Sequence, residues 1–425
     1  MSSHNIQPLL NKSYLKAKHA KGVYIFDEVG KRYLDGSSGA VTCSLGHSHD
    51  RVLDLMKQQI DKLQFVYRSQ FGSEEAEQLA RKLFELSPQK THAHSFFVNS
   101  GTEAIETAMK VALQYWQEKG QPEKRQFITR WKSYHGITMG ALSLSGHPLR
   151  RQRFENSLEK YPALFADLEN DPLETQTKEF ISVIERIGAK HIAAFVAEPM
   201  VGAAGTALMP HAEYYRSFRK ICDQNEVLFI ADEVMTGLGR TGAWFAMEHW
   251  QANADIVTVG KSLGAGYAPI AATLMTDKVL QPIKEGSGLI MSGHTYSGHP
   301  LSCATALKVL EIVEQDKLLD NVNEKGAYIK RNLESFRKKY SFIDSIRGKG
   351  LLMGLEFTPS LKGLQSKFIG KCFQNGLLVY PSVGGKQGKD ENGVIVSPPF
   401  IITKDETDEL LSKFEESLME LSREL

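Results

Sequence analysis

The sequence predicts an α/β fold in which a mostly parallel sheet carries helices on both faces. The chain of 425 residues is long enough for a large domain and a smaller companion domain. In its middle, short β-branched or aromatic runs alternate with longer amphipathic helical patterns. This alternation is typical of βαβ crossovers, which join parallel strands of one sheet through helices.

The strands and helices of this sheet can be assigned from their hydrophobic patterns. Amphipathic helices are predicted over residues 101–120 and 212–226. The strand candidates span residues 95–100, 125–130, 191–199, 227–234, 255–261 and 270–276.

The two flanks of the chain have a different character. Residues 22–36 predict a hairpin with a Val-Gly turn, and residues 318–425 predict a second α+β unit that ends in an amphipathic helix. We therefore expect three segments: an N-terminal segment of the smaller domain over 1–60, a large domain over 61–317, and the rest of the smaller domain over 318–425.

Composition favours a cytoplasmic protein that acts on small molecules. The 51 Lys and Arg and 50 Asp and Glu leave a formal charge of +1, without the clustered basic excess that nucleic-acid binding needs. The longest apolar stretch, 191–209, is interrupted by Glu198 and Pro199, so no membrane span is expected. Four scattered cysteines, with neither a C-x-x-C pair nor a secretory leader, suit a reducing compartment and are expected to be buried small hydrophobes.

Polar residues at the carboxyl ends of the predicted strands are the first candidates for a ligand site. Ser100, Gly101 and Thr102 lie where a strand leads into a helix, so they could bind an anion through free amides and hydroxyls, or simply cap the helix. Asp232 and Glu233 end a very apolar run, where a buried carboxylate needs a cation, a metal ion or a structural partner.

Lys261 follows another such strand, in the tripeptide Gly260–Lys261–Ser262. A phosphate-binding P-loop would require a glycine at position 255, where this sequence has Asp255. The remaining interpretation is a lysine whose amine takes part in chemistry.

Two other patterns predict no site. The run GLGRTG at 237–242 fits G-x-G-x-x-G but does not open a helix in a compact βαβ unit, so a flexible loop is expected. No cysteine or carboxylate cluster is expected to join the histidine pairs, and they predict no metal site. These pairs are His47/His49 and His92/His94.

An anion-binding turn, a buried carboxylate and a lysine form a specific combination when each ends a strand of one sheet. Together they would hold a phosphorylated pyridine aldehyde: amides and hydroxyls for the phosphate, a carboxylate for the ring nitrogen, and an amine for a Schiff base.

On these residues and on a series of ordered motifs, the chain resembles the class III, or ω-amino-acid, aminotransferases. These enzymes use pyridoxal 5′-phosphate (PLP) on the fold-type-I scaffold, and the resemblance implies that the large domain binds the cofactor. The motifs run through nearly the whole chain: GVYIFDEVGKRYLDG, NSGTEAIETAMKVA, SYHG, AEP, ADEVMTGLGRTG, GKSLGAGYAPIAA, TYSGHPLSCATAL and SPPF.

The resemblance implies roles for individual residues. Lys261 would bond the cofactor and move the proton, and Asp232 would pair with the ring nitrogen. Thr295 would reach the phosphate of the neighbouring subunit's cofactor, which implies a homodimer, possibly a dimer of dimers. The remaining implied cofactor-binding residues are Ser100, Gly101, Thr102, Tyr134, His135, Glu198 and Val234.

The implied activity is transfer of an amino group from an ω-amino acid or amine donor to a 2-oxo acid such as pyruvate or 2-oxoglutarate. An aminomutase or decarboxylase with the same cofactor is an alternative. A cofactor-free binding or regulatory protein on this fold is another, although the presence of both Lys261 and Asp232 argues against it.

Three positions depart from related sequences and bear on the substrate. Ile395 stands where members that use ornithine or 4-aminobutyrate tend to have an arginine, Val41 where the amine:pyruvate subgroup tends to have a tryptophan, and Met235 where many relatives have a glutamine. A substrate carboxylate therefore needs another cation. The candidates are Lys386 and Lys389 in the loop 380–393, and Arg68.

Overall fold

A computed structural model describes residues 4–384 and 390–425 of the chain. The first part of the fold is a small antiparallel unit followed by helices. Its elements are β1 (Ala17–Lys21), β2 (Tyr24–Asp27), β3 (Arg32–Asp35), the single turn α1 (Ser38–Val41), α2 (Asp50–Lys62) and α3 (Glu74–Leu86).

The middle of the chain alternates strands and helices, as the hydrophobic pattern predicts. Its elements are β4 (His94–Val98), α4 (Gly101–Glu118), β5 (Gln126–Arg130), α5 (Met139–Leu144), α6 (Pro148–Arg151), β6 (Ala163–Leu164), α7 (Leu173–Ile187), β7 (Ile192–Ala197), α8 (Tyr214–Gln224), β8 (Leu228–Asp232), β9 (Ile256–Val259), β10 (Ala271–Met275) and α9 (Asp277–Glu285).

The C-terminal part returns to a mixed α+β arrangement. Its elements are α10 (Pro300–Gln315), α11 (Leu318–Lys339), β11 (Ile343–Lys349), β12 (Leu352–Phe357), α12 (Leu364–Gln374), β13 (Leu377–Leu378), β14 (Tyr380–Gly384), β15 (Asp390–Val396) and α13 (Lys404–Ser422).

The central sheet has seven strands in the order β4-β10-β9-β8-β7-β5-β6. Strands β5 to β9 pair in parallel, and β10 runs antiparallel to both β9 and β4. Strand β4 therefore points in the same direction as the parallel strands, and their carboxyl ends meet at one edge. The prediction of a mostly parallel sheet is confirmed.

Helices cover both faces of this sheet because its strands are apolar on both sides. In β8, Leu228 and Ile230 face the core that contains α4, whereas Phe229 and Ala231 face the opposite core. That second core holds an aromatic cluster in which the ring of Phe218 stacks on Phe180, with 4.7 Å between centroids.

A smaller core joins the two ends of the chain. Its members include Val23 from the turn between β1 and β2 and Leu34 from β3, together with Phe368, Leu410 and Phe414 from the C-terminal helices. A core shared by the two ends of the chain is what a smaller domain made of both termini requires. The boundaries 1–60, 61–317 and 318–425 stay a prediction.

The predicted hairpin at 22–36 is confirmed. Strands β2 and β3 pair antiparallel, and Gly30 takes a positive φ of 86° in the turn between them. The Asp27 Oδ1 atom accepts the Val29 and Lys31 N–H groups at 3.0 and 2.8 Å, which fixes the turn.

The GLGRTG run, predicted to be a flexible loop, is a buried turn. Arg240 is fully buried and donates to the carbonyls of Leu351 at 3.1 Å and Pro398 at 2.7 Å. The expectation of flexibility was wrong because the carbonyls that hold Arg240 come from distant parts of the sequence.

Over the described ranges, no helix has both the length and the apolar character needed to cross a bilayer. Cys222, Cys303 and Cys372 are buried, as predicted, and Cys43 is partly exposed.

The aromatic cluster beneath the sheet predicts a strong stability effect. Phe218→Ala removes a ring that is only 1% exposed, and we expect it to lower the free energy of unfolding by about 3–5 kcal/mol, because a large cavity remains. Phe154→Ala, at a side chain that is 49% exposed, should change it by less than about 0.5 kcal/mol. Urea denaturation followed by tryptophan fluorescence measures both; equal effects would contradict the prediction.

Candidate active site

A cavity of about 260 Å³ opens at the edge where the strands of the central sheet end. It gathers side chains that follow β4, β5, β7, β8 and β9, as expected for the carboxyl edge of a parallel sheet. Its lining consists of Gly101, Thr102, Tyr134, His135, Gly136, Ile137, Glu198, Asp232, Val234, Met235 and Lys261.

Lys261 lies in this cavity, two residues after the end of β9. Its backbone has a φ of 42°, in the left-handed region that non-glycine residues rarely adopt. Burial lowers the pKa of its ammonium group, while the charges of Asp232 and Glu198 act in the opposite direction. The amine is therefore more easily neutral, and so more nucleophilic, than that of an exposed lysine.

Asp232 is the last residue of β8 and is 5% exposed. Its Oδ2 atom accepts from His135 Nδ1 at 2.8 Å, and its Oδ1 atom accepts from the Val234 N–H at 3.1 Å and Thr258 Oγ1 at 3.2 Å. The cost of burying a carboxylate is offset by these donors, which also fix its orientation.

Glu233, the adjacent carboxylate, has a structural role. It points away from the cavity and accepts the N–H groups of Ala246 at 2.7 Å and Met247 at 2.9 Å. Burial raises its pKa to about 7. The two carboxylates that the sequence could not separate thus face different surroundings, because successive residues of an extended chain point in opposite directions.

The turn from β4 into α4 combines a helix cap with free amides. Ser100 caps the helix by accepting the Glu103 N–H at 3.3 Å, and it does not line the cavity. The N–H groups of Gly101 and Thr102 have no acceptor within the described part of the chain, as is usual for the first turn of a helix. The geometry is therefore compatible with both roles of this turn: capping the helix and binding an anion.

Two close contacts at this turn require glycine. A Cβ on Gly101 would lie 2.6 Å from Val234 Cγ1. Gly136, with a φ of 138°, leaves no room for a side chain beside Thr102. The Thr102 hydroxyl also accepts the Ile137 N–H at 3.2 Å, which joins the start of α4 to the loop after β5.

Glu198 also stabilises the loop after β5, which carries Tyr134. Its carboxylate accepts the N–H of Tyr134 at 2.9 Å and the N–H of Gly202 at 3.0 Å. Burial raises the pKa of Glu198, and the charge of nearby Asp232 adds to that effect. Tyr134 is thereby held at the side of the cavity.

Several of the sequence-predicted residues lie elsewhere. Thr295 is exposed and does not line this cavity. Arg68 donates to the Ser292 carbonyl at 2.9 Å and lines a separate cavity of about 540 Å³. Lys386 and Lys389 fall outside the described residues.

The three departures from related sequences divide between core and cavity. Ile395 and Val41 are fully buried in the large apolar core. Met235 lines the cavity. An apolar thioether therefore stands at the position where many relatives have an amide.

The histidine pairs have structural partners. His92 contacts the Ala254 carbonyl at 3.0 Å, and His94 contacts Asp277 at 2.8 Å. The expectation that no carboxylate or cysteine joins a pair was wrong for His47: possible ligand atoms of Asp35, Cys43 and His47 all lie within 4.8 Å of one another. The reason is that the chain folds back after β3, which sequence spacing does not reveal.

The sequence pattern missed Arg150 of α6. Its guanidinium lies 4.3 Å from the centroid of the Tyr134 ring. The sequence signal is only the pair Arg150–Arg151 in PLRR, and nothing in that pair indicates which arginine packs on Tyr134.

Solved structures that superimpose on this chain include transaminases. A transaminase from the marine bacterium Virgibacillus superimposes with a TM-score of 0.94 at 28% identity, covering 99% of this chain and 98% of that one. An amine transaminase from an uncultivated Pseudomonas species, in its PLP-bound form, gives a TM-score of 0.92 at 30% identity, covering 99% of both chains. The fold is that of the fold-type-I, PLP-dependent transferases.

Sequence relatives identify the family. The model of the family "Aminotransferase class-III" matches residues 8–418. The "Uncharacterized aminotransferase YodT" of Bacillus subtilis is 48% identical, covering all of this chain and 99% of the relative. The "Gamma aminobutyrate transaminase 3, chloroplastic" of Solanum lycopersicum is 35% identical, covering 98% and 81%. The chain belongs to the class III aminotransferases, and the predicted family, fold and enzymatic nature are confirmed.

The surroundings of Lys261 predict its titration. In protein freed of bound cofactor, we expect its acetylation to reach half its maximal rate at a pH below the ordinary lysine value of 10.5, because burial disfavours the ammonium form. Asp232→Asn should lower that midpoint further, since the Asp232 charge favours the ammonium form. Asp277→Asn, at a side chain that is 80% exposed, is the control and should leave it unchanged. Competitive labelling read by mass spectrometry measures the midpoint, and an increase in Asp232→Asn would contradict this account.

Proposed function

We propose that this aminotransferase uses pyridoxal 5′-phosphate to move an amino group from an ω-amino acid or amine donor to a 2-oxo acid such as pyruvate or 2-oxoglutarate. The observation that carries the proposal is the convergence of Lys261, Asp232 and the free amides of Gly101 and Thr102 on one cavity. A lysine, a buried carboxylate and an anion-binding turn match the aldehyde, the ring nitrogen and the phosphate of this cofactor.

The fit of the residues to the cofactor supports its assignment. The phosphate would lie against the first turn of α4, where the helix dipole and two free N–H groups favour an anion. Gly101 keeps that turn open beside Val234. Tyr134 would cover one face of the ring, Val234 would pack on the other, and the Lys261 amine would hold the aldehyde carbon.

When bound, pyridoxal 5′-phosphate supplies an electron sink for the negative charge that develops at the reacting carbon of the substrate. The Asp232 carboxylate would keep a proton on the ring nitrogen, and His135 Nδ1, 2.8 Å from Asp232 Oδ2, holds that carboxylate in position. The Lys261 amine, whose pKa burial lowers, takes a proton from the donor carbon and delivers it again. Glu198 orients Tyr134 through the Tyr134 N–H.

The proposed donors, ω-amino acids and amines, are supported by the names of related proteins and by the apolar lining of the cavity. The tomato relative is named a gamma-aminobutyrate transaminase, and the Pseudomonas structure is described as an amine transaminase. The apolar side chains of Ile137, Val234 and Met235 in the lining suit the aliphatic part of such donors. An aminomutase or decarboxylase would need no 2-oxo acid, which separates these alternatives by experiment.

A homodimer in which each active site is shared between subunits would give the exposed Thr295 a role in cofactor binding. This side chain is exposed in the single chain and lies on the segment between α9 and α10. We propose that it donates a hydrogen bond to the phosphate held by the partner subunit, as the motif TYSGHP in class III enzymes implies.

The activity is tested with purified protein, the cofactor, and a panel of ω-amino acids, diamines and plain amines, each with pyruvate or 2-oxoglutarate. We expect turnover that requires both a donor and an oxo acid, and a loss of about a hundredfold to ten-thousandfold or more in Lys261→Ala, because the proton-transfer group is removed. Lys190→Ala, at an exposed lysine, is the control. Turnover without an oxo acid would instead favour a mutase or decarboxylase, and an active Lys261→Ala would contradict the role of Lys261.

The shared site predicts complementation between subunits. Thr295→Ala should weaken cofactor affinity by about tenfold to a hundredfold, the loss expected for a hydrogen bond to a charged group. In hybrids of Thr295→Ala and Lys261→Ala chains, one site of each dimer recovers both native residues and should regain native affinity. Hybrids prepared by co-expression with two affinity tags, then titrated with cofactor, measure this. A hybrid no better than the Thr295→Ala homodimer would contradict sharing of the site.

A further inference from the structure

Arg150 places a cation next to the lining of the candidate active site. It lies on the short helix α6, is half-buried, and its guanidinium covers the ring of Tyr134 at 4.3 Å from the centroid. Tyr134 lines the same cavity as Lys261, whereas Arg150 itself is not among the lining residues. The guanidinium therefore contacts the cavity through Tyr134.

The contacts of Arg150 differ from those of its neighbour Arg151, which is also half-buried. Arg151 donates to three backbone carbonyls, at 3.0, 3.1 and 2.7 Å, and thereby fixes the end of α5. Within residues 4–384 and 390–425, no carboxylate lies within 4.0 Å of the Arg150 guanidinium, and no backbone carbonyl accepts from it. A guanidinium has five N–H donors in a planar fork. A half-buried guanidinium that pairs with no carboxylate among the described residues is suited to bind an anionic ligand.

The charge of Arg150 acts on the cavity itself. Burial is the main cause that lowers the pKa of Lys261, and the Arg150 charge adds to it. Burial raises the pKa of Tyr134, and the same charge opposes that rise. The effect of the Arg150 charge on the pKa of Lys261 is therefore opposite to that of the Asp232 and Glu198 charges.

The geometry points to Arg150 as the residue that grips the carboxylate of the substrate, with the substrate's amino or carbonyl carbon directed toward Lys261. This inference rests on the proposed transaminase function and defines its substrate class: short amino and oxo compounds that carry a carboxylate, or a sulfonate of similar shape. Arginine is suited to this task because its fork binds both oxygens of a carboxylate.

The other cations considered for this role are less suitable. Arg68 is used by the Ser292 carbonyl, lies over Phe96, and lines a different cavity. Position 395, where some relatives have an arginine, holds a fully buried isoleucine in an apolar core. Arg150 combines proximity to Tyr134 with a guanidinium that has no carboxylate partner among the described residues.

The first test is equilibrium binding, which does not depend on turnover. Glutarate, an unreactive dicarboxylate, is titrated into the cofactor-loaded protein, and its Kd is measured by calorimetry. We expect Arg150→Gln to raise Kd by about tenfold to a hundredfold, the effect of losing a charged hydrogen bond, and Arg150→Lys to recover part of it. Arg153→Gln, at an exposed arginine on the same segment, should bind like the native protein.

The second test identifies which substrate supplies the carboxylate. Single-turnover rates are measured separately for the oxo acid, for an ω-amino acid and for a plain amine. Arg150→Gln should raise the apparent Kd of the oxo acid, of the ω-amino acid or of both by the same tenfold to hundredfold. It should leave the plain amine within about twofold, which a general structural defect would not do.

The outcomes separate this inference from the proposed function. Unchanged glutarate binding and unchanged oxo-acid kinetics in Arg150→Gln would overturn the role of Arg150 and leave the transaminase function intact. Glutarate binding that needs Arg150, in a protein that transaminates none of the donors, would support the anion site and overturn the proposed function. Equal losses for carboxylates and for the plain amine would assign Arg150 to the structure of the loop and also overturn the inference.

Discussion

The carboxylate of Asp232 ends a strand in which every residue is buried, so its negative charge must be balanced by the structure around it. Its three donors come from three different elements: His135 from the loop after β5, Thr258 from the neighbouring strand β9, and the backbone of Val234 from the turn that follows. The stabilisation of one charge therefore fixes the loop, the strand and the turn together. Because Val234 also fills the space beside Gly101, the start of α4 is fixed by the same interaction.

Two threonine hydroxyls hold the elements that form the cavity. Thr258 supports Asp232 from within the sheet, and the Thr102 hydroxyl joins α4 to the loop that carries Tyr134. Such support matters because a displacement of about 1 Å in a reacting group can cost a hundredfold in rate. The lowered pKa of Lys261 is a product of the same enclosure, since burial there outweighs the attraction of two carboxylates.

Much of the fold could be predicted because buried parallel strands have a simple sequence signature. The run at 227–234 contains β8, observed over Leu228–Asp232, and the neighbouring strand candidates agree with the structure to within a few residues at each end. Residues at strand ends were also correctly brought together, because the topology of a parallel sheet leaves only one edge for them.

Other features depend on tertiary contacts that no local pattern encodes. Arg240 was expected in a flexible loop, yet it is buried against carbonyls more than a hundred positions away in the sequence. Arg150 and Arg151 are adjacent and chemically identical, and only the packing of α6 decides which one binds carbonyls and which one faces Tyr134. Arg68 is a sequence candidate for binding the substrate carboxylate, but its contacts with Phe96 and Ser292 direct it to a different cavity.

The small core that joins both ends of the chain imposes an order on biosynthesis. Strand β3 pairs in parallel with β13 through Leu34 and Leu377, and the apolar residues around them pack against the C-terminal helices. During translation at about 5–20 residues per second, the N-terminal strands leave the ribosome roughly 20 s to a minute before their partners exist. The large sheet can form in that interval, whereas the first strands synthesised are among the last to be buried. In the meantime Val23 and Leu34 remain available to chaperones or to other nascent chains, so this segment is exposed to misassembly until the C-terminal elements are made.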